Sequence, residues 1–155
     1  RAEYIRKGTK WSTVEDNRVR MLDTCPNVDF YISPTLSIMN AMHVTDFHKN
    51  WVERGLLKHQ DLNINILQDP MHYRIDIAPE HYKDGIRKKF QEHIKWLEGY
   101  DDLQRATNGF ISAISYLDVN NTQYLETFWN KTKQLDKIRN ENILDSITEL
   151  ANLNA

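Results

Sequence analysis

Apolar and polar positions along the chain divide it into a front part that alternates helix and strand and a rear part that is helical throughout. Trp11-Ser12-Thr13-Val14-Glu15 has the form of a capping box, in which Ser12 accepts from the amide of Glu15 and the Glu15 carboxylate reaches back to the amide of Ser12. It predicts a helix to about Leu22 with Trp11, Val14, Met21 and Leu22 as a narrow apolar stripe, ended by Pro26-Asn27. From Val28 to Met39 apolar residues dominate with little alternation. That predicts a strand covered on both faces, in which Pro34 requires an edge or a bulge. Thr45 then suits an N-cap and Asp46 a first turn, ahead of an inner face of Phe47, Trp51 and Val52, with Gly55 placed to stop the helix. Leu62 to Leu67 predicts a second strand, closed by Gln68-Asp69-Pro70, and Pro79-Glu80 opens a helix carrying Tyr82, Ile86, Phe90, Ile94 and Leu97 before Gly99.

Beyond Gly99 the strand signal fades. Leu103, Ala106, Phe110, Ile114 and Leu117 make one helical stripe, Tyr124, Leu125, Phe128, Thr132 and Leu135 a second, and Ile143, Ile147 and Leu150 a short third. The order helix, strand, helix, strand predicts an α/β fold of parallel strands joined by crossover helices, followed by a mainly helical extension. Residues 1–98 form the first unit of this reading and residues 99–155 the extension. Two strands are too few for an independent sheet core. Together with an opening at Arg1, part-way through what reads as a loop, this predicts that an upstream segment completes the unit.

Charge and cysteine content narrow the chemistry. Twenty Lys and Arg against 22 Asp and Glu, well interspersed, leave a formal charge of −2 and no basic patch for nucleic acid or anionic lipid. No apolar run is long enough to span a bilayer, which predicts a cytoplasmic protein. Cys25 stands alone, so an internal disulfide and any all-cysteine cluster are excluded within the chain. The histidines lack ligand spacing: His43 and His48 do not share a helical face, and His72, His81 and His93 are scattered. Ligands of parallel sheets gather at the carboxyl ends of strands, which selects Ser37, Met39 and Asn40 after the first strand and Gln68, Asp69 and His72 after the second. Each of these polar groups also suits a purely structural role in its turn.

Taken in order, three stretches carry a resemblance to a known family. Glu3-Tyr4-Ile5-Arg6-Lys7-Gly8 followed by Lys10-Trp11, then Pro34-Thr35-Leu36-Ser37-Ile38-Met39-Asn40, then Asn65-Ile66-Leu67-Gln68-Asp69-Pro70-Met71-His72-Tyr73, are similar to the segments around the last strands of radical S-adenosylmethionine (radical SAM) enzymes. Leu135-Asp136-Lys137-Ile138-Arg139-Asn140 resembles the closing helix of phage and marine-bacterial members that carry a short twitch-type extension. The family's Cys-x3-Cys-x2-Cys signature is missing. The resemblance therefore implies the C-terminal portion of a partial (βα)6 barrel whose N-terminal half is the absent partner. It further implies that the complete protein cleaves S-adenosylmethionine at a 4Fe-4S cluster to start radical chemistry on an unknown substrate, with neither cofactor expected on this chain alone. By the same carry-over, Arg6 is the candidate for the methionine carboxylate, Ser37 and Asn40 for the ribose or carboxylate, and Ile66 and Leu67 for packing near the adenine. The competing expectation is a non-catalytic α/β interaction module.

Overall fold

A computed structural model of the chain describes residues 1–154. Helices dominate it: α1 (Ala2–Ile5), α2 (Trp11–Thr24), α3 (Val44–Glu53), α4 (Glu80–Leu97), α5 (Arg105–Tyr116), α6 (Leu125–Arg139) and α7 (Ile143–Ser146), with a 3-10 run over Thr148–Asn154. Strands β1 (Thr35–Leu36) and β2 (Asn65–Ile66) pair in parallel, Thr35 with Asn65 and Leu36 with Ile66, and an isolated bridge joins Ile32 to Leu62. Helix α3 supplies the crossover between them. The expected portion of a partial (βα)6 barrel is thus overturned: among the described residues, two strands of two residues each are set in a mainly helical body. The physical reason is that helices bury their apolar faces mostly against one another, and the ladder takes up only the stretch where β1 and β2 run side by side.

The longest helix shows how local signals place the core. α4 begins directly after Pro79, buries Tyr82, Ile86, Phe90, His93 and Leu97 at intervals of three or four, and ends before Gly99, which takes φ +82° where side chains are strained. α5 folds back on it through Phe110, whose ring meets Phe90 edge-on at 5.0 Å. Its Gly109 lies so close to the ladder that an added Cβ would stand 2.8 Å from Ile64 Cβ. Helix propensity alone favours alanine here by up to about 1 kcal/mol. Overpacking against a β-branched side chain costs about 1–3 kcal/mol and is expected to win. Gly109→Ala should therefore lower the urea midpoint, and a raised midpoint would show that the α5–β2 contact is looser than drawn.

The termini are tied to each other. Tyr4 donates to Asp136 Oδ1 at 2.7 Å, Arg139 Nη1 donates to the Tyr4 carbonyl at 3.1 Å, Arg1 pairs with Glu149 at 2.5 Å, and Lys7 pairs with Glu141. Burial and the adjoining Asp136 carboxylate push the Tyr4 phenol up, so it stays a donor at neutral pH. The capping box is a second correction: α2 begins at Trp11 with Lys10 at its N-cap, which puts Ser12 inside the first turn. Glu3 does the capping from a distance, accepting from the Trp11 amide at 2.9 Å, while Glu15 turns to Arg54 at 2.5 Å. Thr45 likewise sits inside α3, whose N-cap is His43.

Candidate functional site

Backbone hydrogen bonds give the strand pair one satisfied side and one open side. Ile32 donates to Asp61 at 2.8 Å, Asn63 to Ile32 at 2.8 Å, Asn65 to Pro34 at 3.0 Å and Leu67 to Leu36 at 3.0 Å. Alternate residues of an extended chain point their N–H and C=O the same way, so those of Tyr31, Ser33 and Thr35 face away from β2. Among the described residues, no backbone group pairs with those of Tyr31 or Ser33. Ile32, Pro34 and Thr35 border a groove of about 1410 Å³ between β1, α3 and the segment from Arg1 to Glu15.

Aromatic and aliphatic side chains floor the groove. Trp11, Phe47 and Trp51 form a cluster with ring centroids 5.0 to 5.9 Å apart, and Val14, Ile32 and Pro34 continue it. The wall contributed by α2 is unusual: none of its fourteen residues is buried. Only Trp11 and a few polar anchors hold it, among them Arg18, which donates to the Leu56 carbonyl at 2.7 Å and lies 3.8 Å over the Phe30 ring. The hydrogen bond from Arg54 holds the Glu15 carboxyl below the usual carboxylate range, and burial followed by the nearby Arg1 holds the His43 imidazole down. At neutral pH the rim therefore presents anionic Glu15 and neutral His43.

The five residues carried over from the family resemblance fall into two places. Arg6, exposed at the end of α1, and Asn40 line the same groove. Ser37 is buried beside Asn40: its amide donates to Asn40 Oδ1 at 2.8 Å, and Asn40 Nδ2 donates to the Thr35 carbonyl at 3.0 Å. Asn40 thus closes the strand end with one lone pair and one N–H, keeping one of each for a ligand. Ile66 and Leu67 are half-buried in and after β2, outside the groove. Of the other strand-end candidates, Met39 is buried and Gln68 accepts from the Tyr116 hydroxyl at 3.3 Å, while Asp69 is exposed and His72 packs on Tyr73.

One polar group escaped the sequence reading. Ser33, Asn63 and Asn65 stand together on the outer face of the ladder, with Asn65 Nδ2 donating to Ser33 Oγ at 2.7 Å and Ser33 Oγ to the Asn63 carbonyl at 3.3 Å. The strict alternation of Leu62, Asn63, Ile64, Asn65 and Ile66 was its signal, since period-two polarity marks a strand with one wet face. Among the described residues no three His, Cys, Asp or Glu side chains group to hold a metal ion, and Cys25 is exposed. Nor is any helix long and apolar enough to cross a membrane. Set against family models, curated proteins and solved structures, the chain matches none of them.

Proposed function

We propose that the chain is the carboxy-terminal, cluster-free part of a radical SAM enzyme of the twitch type, furnishing one wall of the S-adenosylmethionine site for an unknown substrate in the cytoplasm. The observation that supports it best is that Arg6 and Asn40, carried over from motifs far apart in the sequence, line one groove. An exposed guanidinium that pairs with no carboxylate among the described residues suits an amino-acid carboxylate, and the free lone pair and N–H of Asn40 suit a hydroxyl or carboxylate beside it. The single, exposed Cys25 does not fit a 4Fe-4S cluster, which takes several thiolates, and no chemical step is assigned to this chain through one.

The test is to read the gene upstream of the Arg1 codon and to express the whole reading frame with iron and sulfide. The expected result is a Cys-x3-Cys-x2-Cys motif and a protein that binds S-adenosylmethionine, with Arg6→Ala weakening that binding about tenfold or more, as losing a charge-assisted hydrogen bond does. A complete reading frame without the cysteines would overturn the proposal, as would one that binds no S-adenosylmethionine.

A further inference from the structure

We infer that the aromatic half of the groove is the binding site for the adenine ring of the S-adenosylmethionine assigned to it, with Trp11 and Phe47 stacking on the base and Asn50 reading its edge. The inference rests on the proposed function and goes beyond it, because Ile66 and Leu67, carried over for the adenine, lie outside the groove and leave the ring without a seat. The two walls of the groove change chemistry in the same direction. Arg1 on one wall donates to the Met39 carbonyl of the other at 3.0 Å, and further along Trp11 packs on Phe47 and Trp51 at 5.9 and 5.6 Å. Polar Arg6 and Asn40 thus come before the aromatic rings on their respective walls. Asn40, His43, Phe47 and Asn50 follow one another at three- and four-residue steps, the spacing of one helix side, and all four line the groove. From His43 to Asn50 the helix rises about 10 Å. A ligand that uses both ends is therefore long, with an amino-acid carboxylate at one tip and a flat ring at the other. A groove of about 1410 Å³ has room for it, since pockets for small ligands run to roughly 1,000 Å³. Trp11 and Phe47 are half-buried, so each keeps ring surface toward the groove, and a base stacks on such a surface whatever its identity. Identity comes from Asn50. Its exposed side-chain amide lies one helical turn beyond Phe47, and its one hydrogen bond among the described residues is accepted by Oδ1 from Arg54 Nη1 at 3.4 Å, which leaves a lone pair and both N–H groups. An amide that donates to N7 and accepts from the 6-amino group holds adenine by two hydrogen bonds, whereas guanine and hypoxanthine present an acceptor at position 6 and allow one.

The probe is adenosine, which lacks the amino-acid tail and needs no cluster, titrated into the full chain and followed by proton–nitrogen correlation NMR. The expected result is saturable shifts of the Trp11 indole and Asn50 side-chain amide signals. Inosine should bind about tenfold more weakly, as losing one of two hydrogen bonds to a base does, and Asn50→Ala should abolish that difference. Phe47→Leu keeps apolar bulk and removes the ring, so it should weaken both nucleosides about tenfold. The indole signals of Trp96 and Trp129, on α4 and α6, should stay in place in both variants and report an intact fold. No saturable shift with adenosine would overturn the inference, as would shifts confined to other residues, equal affinity for inosine, or a preference for adenosine that survives Asn50→Ala. The enzyme reading fails separately, on the upstream cysteines. A flat adenosine titration beside a reading frame that carries them removes the adenine site alone, and a saturable one beside a frame without them removes the enzyme and leaves a nucleoside site.

Discussion

Asp76→Ala is expected to destabilise the fold by about 3–5 kcal/mol, the usual consequence of removing one partner from a buried ion pair. Asp76 has 0% of its side chain exposed, and both of its oxygens are engaged: Arg74 reaches Oδ1 from Nε at 3.2 Å and Oδ2 from Nη2 at 2.5 Å, and Asn121 Nδ2 donates to Oδ2 at 2.7 Å. The Asn121 amide also donates to the Asp76 carbonyl at 3.2 Å, so one residue fastens the loop after α5 to the turn before α4. Buried Lys83 lies nearby with Nζ donating to the Val119 carbonyl at 2.7 Å, and it too loses a compensating charge when the carboxylate goes. A urea titration should show a lower midpoint at unchanged slope. Arg87→Ala is the contrast. That guanidinium meets Glu80, Asp84 and Asp118, but these carboxylates are 66%, 68% and 74% exposed, and water screens such pairs to about 0–1 kcal/mol each. Equal losses in the two variants would mean that the Asp76 site is wet in solution.

Asp76 also shows what the sequence could and could not convey. Arg74-Ile75-Asp76-Ile77 gave no sign of burial, because an acidic residue at a two-residue spacing from arginine reads as a surface pair; its partner Asn121 lies on a different element. Helices were legible where a stripe and a stop coincide, as in α4 between Pro79 and Gly99, since both signals are local. Each predicted strand shrinks to two residues within its stretch, Thr35–Leu36 and Asn65–Ile66, and the barrel inferred from them is absent. Strand pairing is a non-local property, and the apolar content of Val28 to Met39 carries no information on whether anything lies on its second side. Here the first part has a bare side, with Val28 and Tyr31 exposed, while Leu36 to Met39 are buried on both. Asn63 and Asn65 held the contrary signal, that one face of the ladder is wet. The capping box misled for a smaller reason, a register shift of two residues, from Ser12 to Lys10 at the N-cap, that moved Ser12 inside the helix. At the candidate site, Asn40 was legible as a strand-end residue. The groove beside it was not, because it is assembled from the Arg1–Glu15 segment, β1 and α3 together.

A loss of about 4 kcal/mol in stability is expected between neutral pH and about pH 5, from two histidines that the fold keeps uncharged. His48 on α3 and His93 on α4 are fully buried, with His48 Nδ1 and His93 Nε2 2.9 Å apart, an arrangement in which one neutral ring donates to the other. Trp96 stacks on His93 at 4.9 Å and meets His48 edge-on at 5.5 Å, and Phe110 closes the far side of His93 at 4.8 Å. Burial is the main reason that His48 titrates at about 4 and His93 at about 3. The charge of His59 adds at His48, and those of His48, Lys49 and His59 add at His93, while backbone hydrogen bonds to Lys58 and His59 and the charge of Asp101 oppose at His48. Both values lie below the ordinary 6.5, so as the pH falls the unfolded chain takes up protons first. Stability is complete above that value and drains away as the pH drops toward 4 and then 3, by about 1.4 kcal/mol per unit for each ring. Carboxylates contribute little above about pH 5, so between 5 and 7.5 the effect comes from the histidines held below 6.5, these two and, to a smaller extent, half-buried His43. His93→Gln keeps a neutral group able to hydrogen-bond His48 and removes one titration, so the slope of urea-derived stability against pH should fall clearly, by somewhat less than half, over that range. If the variant keeps the wild-type slope, the two rings are reaching water in solution and the α3–α4 contact is open.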